Sequence, residues 1–347
     1  MPKALAPTIA LCVLVTIGDQ WTPQTSGVTA RLRGVSAASD RVVWASGANG
    51  TILRTVDGGR TWQRQSIPGT EKLDFRDIDA IGEQVAYVMS IGPGDASRIY
   101  KTVDGGDHWT KVFMGANPKA FYDAMAFWDA DHGVAIADSI DGRFAILTTA
   151  NGGALWTEVD PASLPPALPN EGAFAASGTN VAVLPPHHVW IGTGAASRAR
   201  VLRSADGGKT WQMADTPLAS GESAGIFSVA FRDPLHGIVV GGDYRREGDA
   251  VKNAAITTDG GATWTASEGL GGFRSVAAYV PDARRTALVA IGPSGSDLST
   301  DDGRSWTPIP GDGFHAFSFA PRTAVGWGVG EGGKIGVLLT RGQEIKR

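Results

Sequence analysis

Six eight-residue segments of this chain align without gaps. They are TVDGGRTW ending at Trp62, TVDGGDHW at Trp109, TANGGALW at Trp156, SADGGKTW at Trp211, TTDGGATW at Trp264 and STDDGRSW at Trp306. Their tryptophans stand 47, 47, 55, 53 and 42 residues apart. Recurrence at that period marks a repeat architecture, in which each unit buries its apolar face against the next. Each interval holds short apolar runs broken by Gly, Asp or Pro, as in LRGVSA, RVVWASG and GTILRT. Strand-length runs at about 40 residues per unit fit one four-stranded blade of a β-propeller. Composition agrees: 47 glycines, about twice the usual ~7% share, and 19 prolines leave little room for long helices. There is no Gly-X-Y period, which excludes a collagen-like chain.

The repeated segment has a mechanical reading. The carboxylate of Asp57, Asp104, Asp206, Asp259 or Asp301 accepts backbone N–H groups across a tight turn, and Asn151 substitutes with its amide oxygen. The glycine that follows supplies the positive φ such a turn needs. The tryptophan opens the next strand and packs between neighbouring sheets. Each turn offers one carboxylate where a calcium loop offers several, so these six residues are assigned a structural role and no metal.

The two ends set the blade count. After Trp306, the stretches FHAFSFA, AVGWGVG and KIGVLLT give three strands without a fourth, whereas DQWTPQTSG near the start matches RTWQRQSIPG around Trp62. Trp21 precedes Trp62 by 41 residues, one repeat length. Residues 19–27 are therefore expected as the outer strand of the last blade. The expected fold is an all-β, seven-bladed propeller of four-stranded antiparallel blades, one domain over 19–347, closed by its N-terminal strand with no open sheet edge.

Residues 4–18 form an apolar run, ALAPTIALCVLVTIG, behind Lys3. Fifteen residues suit the hydrophobic region of a secretory signal better than a membrane span of about 20. Residues 1–18 are read as that signal, giving an exported chain, periplasmic or extracellular, with no membrane span once it is removed. The single cysteine, Cys12, lies inside the run, so the cleaved chain would hold no disulfide or thiolate metal site. With 31 basic and 35 acidic residues, the net charge of −4 argues against a nucleic-acid partner.

On these segments, and on WASGANGTILRTVDGGRTW above all, the chain resembles the Asp-box (BNR-type) propellers that include the photosystem II stability and assembly factors. More distantly it resembles the sialidases, which carry the same box. The first resemblance implies a non-catalytic propeller that binds a protein during assembly. The second implies a glycan-active hydrolase.

Topology separates two faces. The boxes, between third and fourth strands, share a face with the short first-to-second turns. The opposite face gathers the long connections, among them IGPGDASRI, DSIDGRF, TGAASRAR, GGDYRREGDAVKN and the proline-rich link DPASLPPALPNEG. Length concentrated on one face of a repeat fold marks it for binding. The innermost strands begin there, and the matching position in each blade reads Arg33, Arg76, Tyr122, Glu171 (or Gly172), Phe227, Arg274 and His315. Arginine forks in such a ring suit carboxylates and sugar hydroxyls. With Asp243 from the long loop, Arg33, Arg76, Tyr122, Glu171, Arg274 and His315 are the expected ligand-binding set. Asp95, Arg98, Asp138, Arg198, Tyr244, Arg245 and Asp297 extend it. The competing reading makes the same arginines structural, Arg76 paired with Asp77 and Arg33 with a loop acid.

If the sialidase resemblance held, Arg33, Arg76 and Arg274 would form its arginine triad, Tyr122 and Glu171 its nucleophile pair, and Asp77 or Asp243 its acid. The chain departs from that pattern, with Leu32-Arg33-Gly34 where sialidases carry Arg-Ile-Pro and one blade more than they have. The expected occupant is thus a protein or an anionic or polyhydroxylated glycan, taken by a monomer without a cofactor. Two motifs do not carry chemistry. Gly221-Glu222-Ser223-Ala224-Gly225 falls in a link rather than a strand-to-helix turn. Gly328, Gly330 and Gly333 precede a strand instead of a phosphate-binding helix.

Overall fold

The computed structural model describes residues 21–281 and 286–339. The expected signal and Cys12 lie outside the described residues. Seven four-stranded antiparallel sheets follow one another around a ring, with three short 3-10 turns and no longer helix among the described residues. Blade 1 runs from its innermost strand Leu32–Ala37 through Val43–Gly47 and Thr51–Thr55 to Gln63–Gln65. The innermost strands of blades 2 to 7 are Asp74–Ala80, Tyr122–Phe127, Val181–Leu184, Ala224–Phe231, Val276–Tyr279 and Ala316–Phe319. Blade 7 borrows its outer strand from the N-terminal end: Thr22–Gln24 pairs antiparallel with Ile335–Leu339, Thr22 opposite Val337 and Gln24 opposite Ile335.

The core is seven cores, one between each pair of blades, and each has its tryptophan. Trp62 joins Val43 and Leu53 of blade 1 to Trp327 and Val329 of blade 7. Trp109, Trp156, Trp211, Trp264 and Trp306 do the same between their own blade and the one before it. Trp21, just ahead of the latch strand, fills the equivalent place between blades 6 and 7, its ring 4.2 Å from that of Phe314 and tilted by 44°. A large aromatic at every blade junction contributes apolar contact area between neighbouring sheets. Trp44, Trp190 and Trp327, in second strands, are fully buried, and Trp128 reaches the carbonyl of His188 with its indole N–H at 2.6 Å.

The boxes work as their composition dictates, with one addition. In the first, Asp57 Oδ1 accepts from the Thr61 amide at 2.9 Å and Oδ2 from the Thr61 hydroxyl at 2.8 Å. Thr55, two residues before Asp57, donates its hydroxyl to Oδ1 at 2.8 Å and accepts the Gly59 amide at 2.9 Å. The leading hydroxyl recurs at Thr102, Thr149, Ser204, Thr257 and Ser299, so it is as much a part of the turn as the carboxylate. The amide of Thr61, with the hydroxyls of Thr55 and Thr61, holds the Asp57 carboxyl down to about 2. Gln24 of the latch strand reaches into this turn, donating to the Gly58 carbonyl at 2.9 Å and accepting from Trp62 Nε1 at 3.1 Å. Ring closure is therefore fastened to blade 1 as well as blade 7.

Blade 4 departs from the pattern. Its innermost strand is only Val181–Leu184, and the residues before it, 172–179, leave the wall and cross the channel. Small side chains make this passage fit: Ala173, Ala175, Ala176, Ser177 and Gly178. Buried groups of distant blades receive its backbone. Asp138 accepts the Ala173 amide at 3.1 Å, Asp123 the Ala175 amide, and Arg76 donates to the Ala175 carbonyl at 2.8 Å. Ser177 bonds to the Ser275 carbonyl and Thr179 to Ser228, both at 2.8 Å. One segment thus ties blades 2, 3, 5 and 6 together across the axis.

Candidate functional site

On the face opposite the boxes, the channel opens into a cavity of about 740 Å³ whose floor is the crossing segment. Its walls are built by a local device. The innermost strands of blades 1, 2, 3 and 5 each carry a β-bulge between Leu32 and Gly34, Phe75 and Asp77, Tyr122 and Ala124, and Ile226 and Ser228. The bulged residues are Arg33, Arg76, Asp123 and Phe227, and all four line the cavity. An extra residue in a strand is released from the ladder and re-aims its side chain, which is how a propeller rim acquires functional groups.

Arg33, Arg76 and His315 form one wall, joined by Arg31. Arg76 is engaged, its Nε 2.9 Å from Asp74 Oδ2 and its Nη1 on the crossing segment. Arg31 reaches the same carboxylate oxygen at 3.6 Å. Arg33 pairs with no carboxylate among the described residues. Its Nη1 lies 3.3 Å from His315 Nδ1, and its Nε has no hydrogen-bond partner. Burial, then the charges of Arg76 and Arg31, push the Arg33 guanidinium down to about 9. Burial and the adjacent Arg33 charge push the His315 imidazole down to about 4, so it is neutral at physiological pH. Its Nε2 stands 3.4 Å from Glu331. Two guanidinium groups, Arg31 and Arg76, therefore share the Asp74 carboxylate, and Arg33 stands beside them without an ion pair among the described residues.

The other expected residues have different places. In blade 3 the bulged residue is Asp123, one position beyond Tyr122. The Tyr122 side chain turns into the core between blades 2 and 3, edge-on to Phe113 at 5.0 Å, and burial pushes its hydroxyl up to about 12. Glu171 borders the cavity, but its carboxylate is fully enclosed. Arg200 grips both oxygens, Thr193 donates to Oε1 at 2.7 Å and the Leu168 amide to Oε2 at 2.8 Å. Gly172, the other choice in blade 4, pairs with Gly194 at the start of the crossing segment. Arg274 is buried away from the cavity, its Nε 2.7 Å from Asp297 Oδ2. Asp77 does not pair with Arg76. Its Oδ2 accepts the Met125 amide at 2.7 Å, stitching blade 2 to blade 3, and burial raises it to about 7. Asp243 pins its own loop, accepting from Ser223, the Arg245 amide and Arg246.

Of the wider set, Asp138 and Tyr244 line the cavity. Asp95 with Arg98, Arg198 with Asp215, and Arg245 with Glu222 are surface pairs. Neither Tyr122 nor Glu171 offers a free nucleophilic group to the cavity. Sequence reasoning did not select Arg31, Asp123, Phe121, Phe174 or Phe273, which also line it. Arg31 has the strand-alternation signal, two residues before Arg33. The phenylalanines are visible only once the crossing segment is placed. No group of three or more His, Cys, Asp or Glu side chains among the described residues is arranged to hold a metal ion. No described helix is long and apolar enough to cross a membrane.

Residues 15–159, rather less than half of the chain, match the family model described as photosynthesis system II assembly factor YCF48. No curated protein sequence matches the chain significantly. Among solved structures it is similar to YCF48 bound to D1 peptide, at 16% identity and a TM-score of 0.64, over 94% of this chain and 100% of that one. YCF48 from Cyanidioschyzon merolae aligns at 17% identity and 0.64, over 92% of this chain and 98% of that one. The WD40 β-propeller domain of Doa1 aligns at 12% and 0.61, over 93% and 98%. At such identities the structures share the propeller fold. With the family match over residues 15–159, they make this a β-propeller similar to the photosystem II assembly factor YCF48.

Proposed function

We propose that this chain is an exported, non-catalytic binding or assembly factor that takes an acidic segment of a protein partner at its arginine-bearing mouth. The observation that carries this reading is Arg33, a buried cation without an ion-paired carboxylate among the described residues, crowded by Arg31 and Arg76, which share Asp74. Keeping such a group charged costs stability, and a carboxylate from outside repays it through charge-assisted bonds. A YCF48 structure, similar in fold, is bound to a peptide, which supports a protein occupant. Export rests on the apolar run at 4–18.

The test is fluorescence anisotropy with an Asp/Glu-rich peptide of about ten residues, against a Lys-rich control. Binding of the acidic peptide alone, weakened by rising salt and by Arg33→Gln, is expected. Equal affinity for wild type and Arg33→Gln, or no binding of the acidic peptide, sinks the reading.

A further inference from the structure

The wall facing the arginines is aromatic. Phe174 of the crossing segment stacks on Phe227 of blade 5 with centroids 4.0 Å apart and planes at 11°. Phe273 meets Phe227 edge-on at 4.7 Å, and Tyr244 stands edge-on to both Phe227 and Phe174 at 6.1 and 6.4 Å. This cluster is separate from the seven inter-blade cores and serves none of them. All four rings border the cavity, but its open surface is Phe174, half-buried, and Tyr244, 43% exposed; Phe227 and Phe273, each 3% exposed, back them from beneath. An apolar surface left open inside a cavity of 740 Å³ marks a place for a ligand's own apolar group.

The wall is preformed. A side chain at Gly194 or Gly225 would come within 2.7 or 3.0 Å of the Phe174 ring edge, so these two glycines keep its seat clear. Tyr244 is fixed through its neighbours. Its amide donates to the Ser223 carbonyl at 3.2 Å, and Asp243 before it accepts from Ser223 Oγ at 2.7 Å. Rigid rings cost little entropy on binding, which is why aromatic walls act as anchors.

From the two walls together we infer that the partner segment carries a bulky apolar or aromatic side chain close to its carboxylate, and that Phe174 and Tyr244, backed by Phe227 and Phe273, receive it while Arg33 receives the acid. This deepens the proposed function and rests on it. Acidity alone would satisfy only half of the cavity. A segment with both groups fills it and is selected over the many acidic stretches that any surface presents.

The experiment compares three acetylated, labelled peptides of about ten residues by anisotropy: acidic residues flanking one Phe, the same with Ala for Phe, and a neutral peptide with the Phe. Burial of one phenyl ring corresponds to about ten- to a hundredfold in Kd. The acidic Phe peptide is expected to bind at least about tenfold more tightly than the acidic Ala peptide. Tyr244→Ala and Phe174→Leu should each shrink that gap. Arg33→Gln should weaken both acidic peptides. A misfolded variant would lose both affinities together, so the ratio reads the aromatic wall itself. Equal affinity for the two acidic peptides overturns this inference and leaves the proposed function standing. A gap that survives both aromatic substitutions overturns the assignment to these rings. A neutral Phe peptide binding as tightly as the acidic one, or no binding by any peptide, overturns both.

Discussion

Arg33 and Arg274 occupy matching positions in the ring of innermost strands, yet the structure gives them opposite energetic signs, and exchanging each for methionine separates them. Arg274 holds Asp297, which is wholly buried, through Nε at 2.7 Å, and its Nη1 serves the Phe273 carbonyl at 2.9 Å. Arg274→Met leaves a buried carboxylate uncompensated, a loss of about 3–5 kcal/mol. Arg33 has no such dependant. Its descent from 12.5 to about 9 corresponds to a charged-state penalty on the order of 5 kcal/mol at neutral pH. Methionine keeps the apolar stem, removes the charge and forfeits the contact with His315, worth about 1 kcal/mol. Allowing for packing changes in the cavity wall, Arg33→Met should stabilise by about 1–3 kcal/mol. At about 2 °C per kcal/mol for a chain of this size, the melting temperature rises by about 2–6 °C in one variant and falls by about 6–10 °C in the other. Urea unfolding followed by tryptophan fluorescence, with a thermal scan alongside, measures both. Arg274→Met combined with Asp297→Leu should recover most of the loss, because a buried pair replaced whole is close to neutral. If Arg33→Met destabilises as much as Arg274→Met, Arg33 is a structural cation and the reasoning behind the mouth fails. A stability gain accompanied by lost peptide binding is the signature of a group kept for function.

Two further outcomes follow from burial and from closure. Burial raises Asp77 to about 7 and both Asp79 and Asp138 to about 6, so between about pH 4 and 7 the folded chain holds protons that the unfolded chain has released, and stability falls as pH rises through that window. His315, lowered to about 4, acts oppositely between pH 6.5 and 4, and Asp57 and Asp104, both held down to about 2, withdraw support below about pH 4. Three raised carboxyls outweigh one histidine, so the melting temperature should be higher at pH 5 than at pH 7.5 and drop steeply below pH 4; a higher value at pH 7.5 would contradict this, and Asp77→Asn should flatten the slope above pH 5. At the ring closure, Gly59 sits at φ 84° with the Gln24 amide where a Cβ would go. Gly59→Ala should cost about 3 kcal/mol, from backbone strain and two lost hydrogen bonds, whereas Gly69→Ala, at φ 80° with open space around it, should cost only about 1 kcal/mol in the same urea titration.

The propeller was legible because its information is local and repeated. Each box carries its turn, its glycine and its tryptophan within eight residues, and the match of DQWTPQTSG to the first box foretold the closing strand. The leading Thr or Ser of each box stood in the alignment too, but its hydroxyl reads as ordinary strand composition until its bonds are seen. The mouth was legible only in part. Arg33, Arg76, Phe227 and His315 fell where alignment placed them, on the cavity. Tyr122 differed by one residue because a β-bulge shifts the register, and no composition signal announces a bulge in YDAMAF. Arg76 and Asp77 are adjacent along a strand, so their side chains diverge, and Arg76 pairs instead with Asp74, two residues back. In blade 4, GAFAASGTN has strand-like composition, yet its partners are Arg76, Asp123 and Asp138, which lie 35 to 99 residues away and whose convergence is a property of the closed ring.

The latch strand also fixes an order of events. Thr22 meets Val337 only after the intervening three hundred or so residues have been made, so the first of the described strands is the last of them to find its place. Blades 1 to 6 can each close on neighbours a few tens of residues away, while Trp21 waits without its cavity between blades 6 and 7. Pairing across so large a sequence separation carries a large loop-closure cost. Until then the nascent ring is an open arc with sticky ends, which favours joining to a second arc when molecules are crowded.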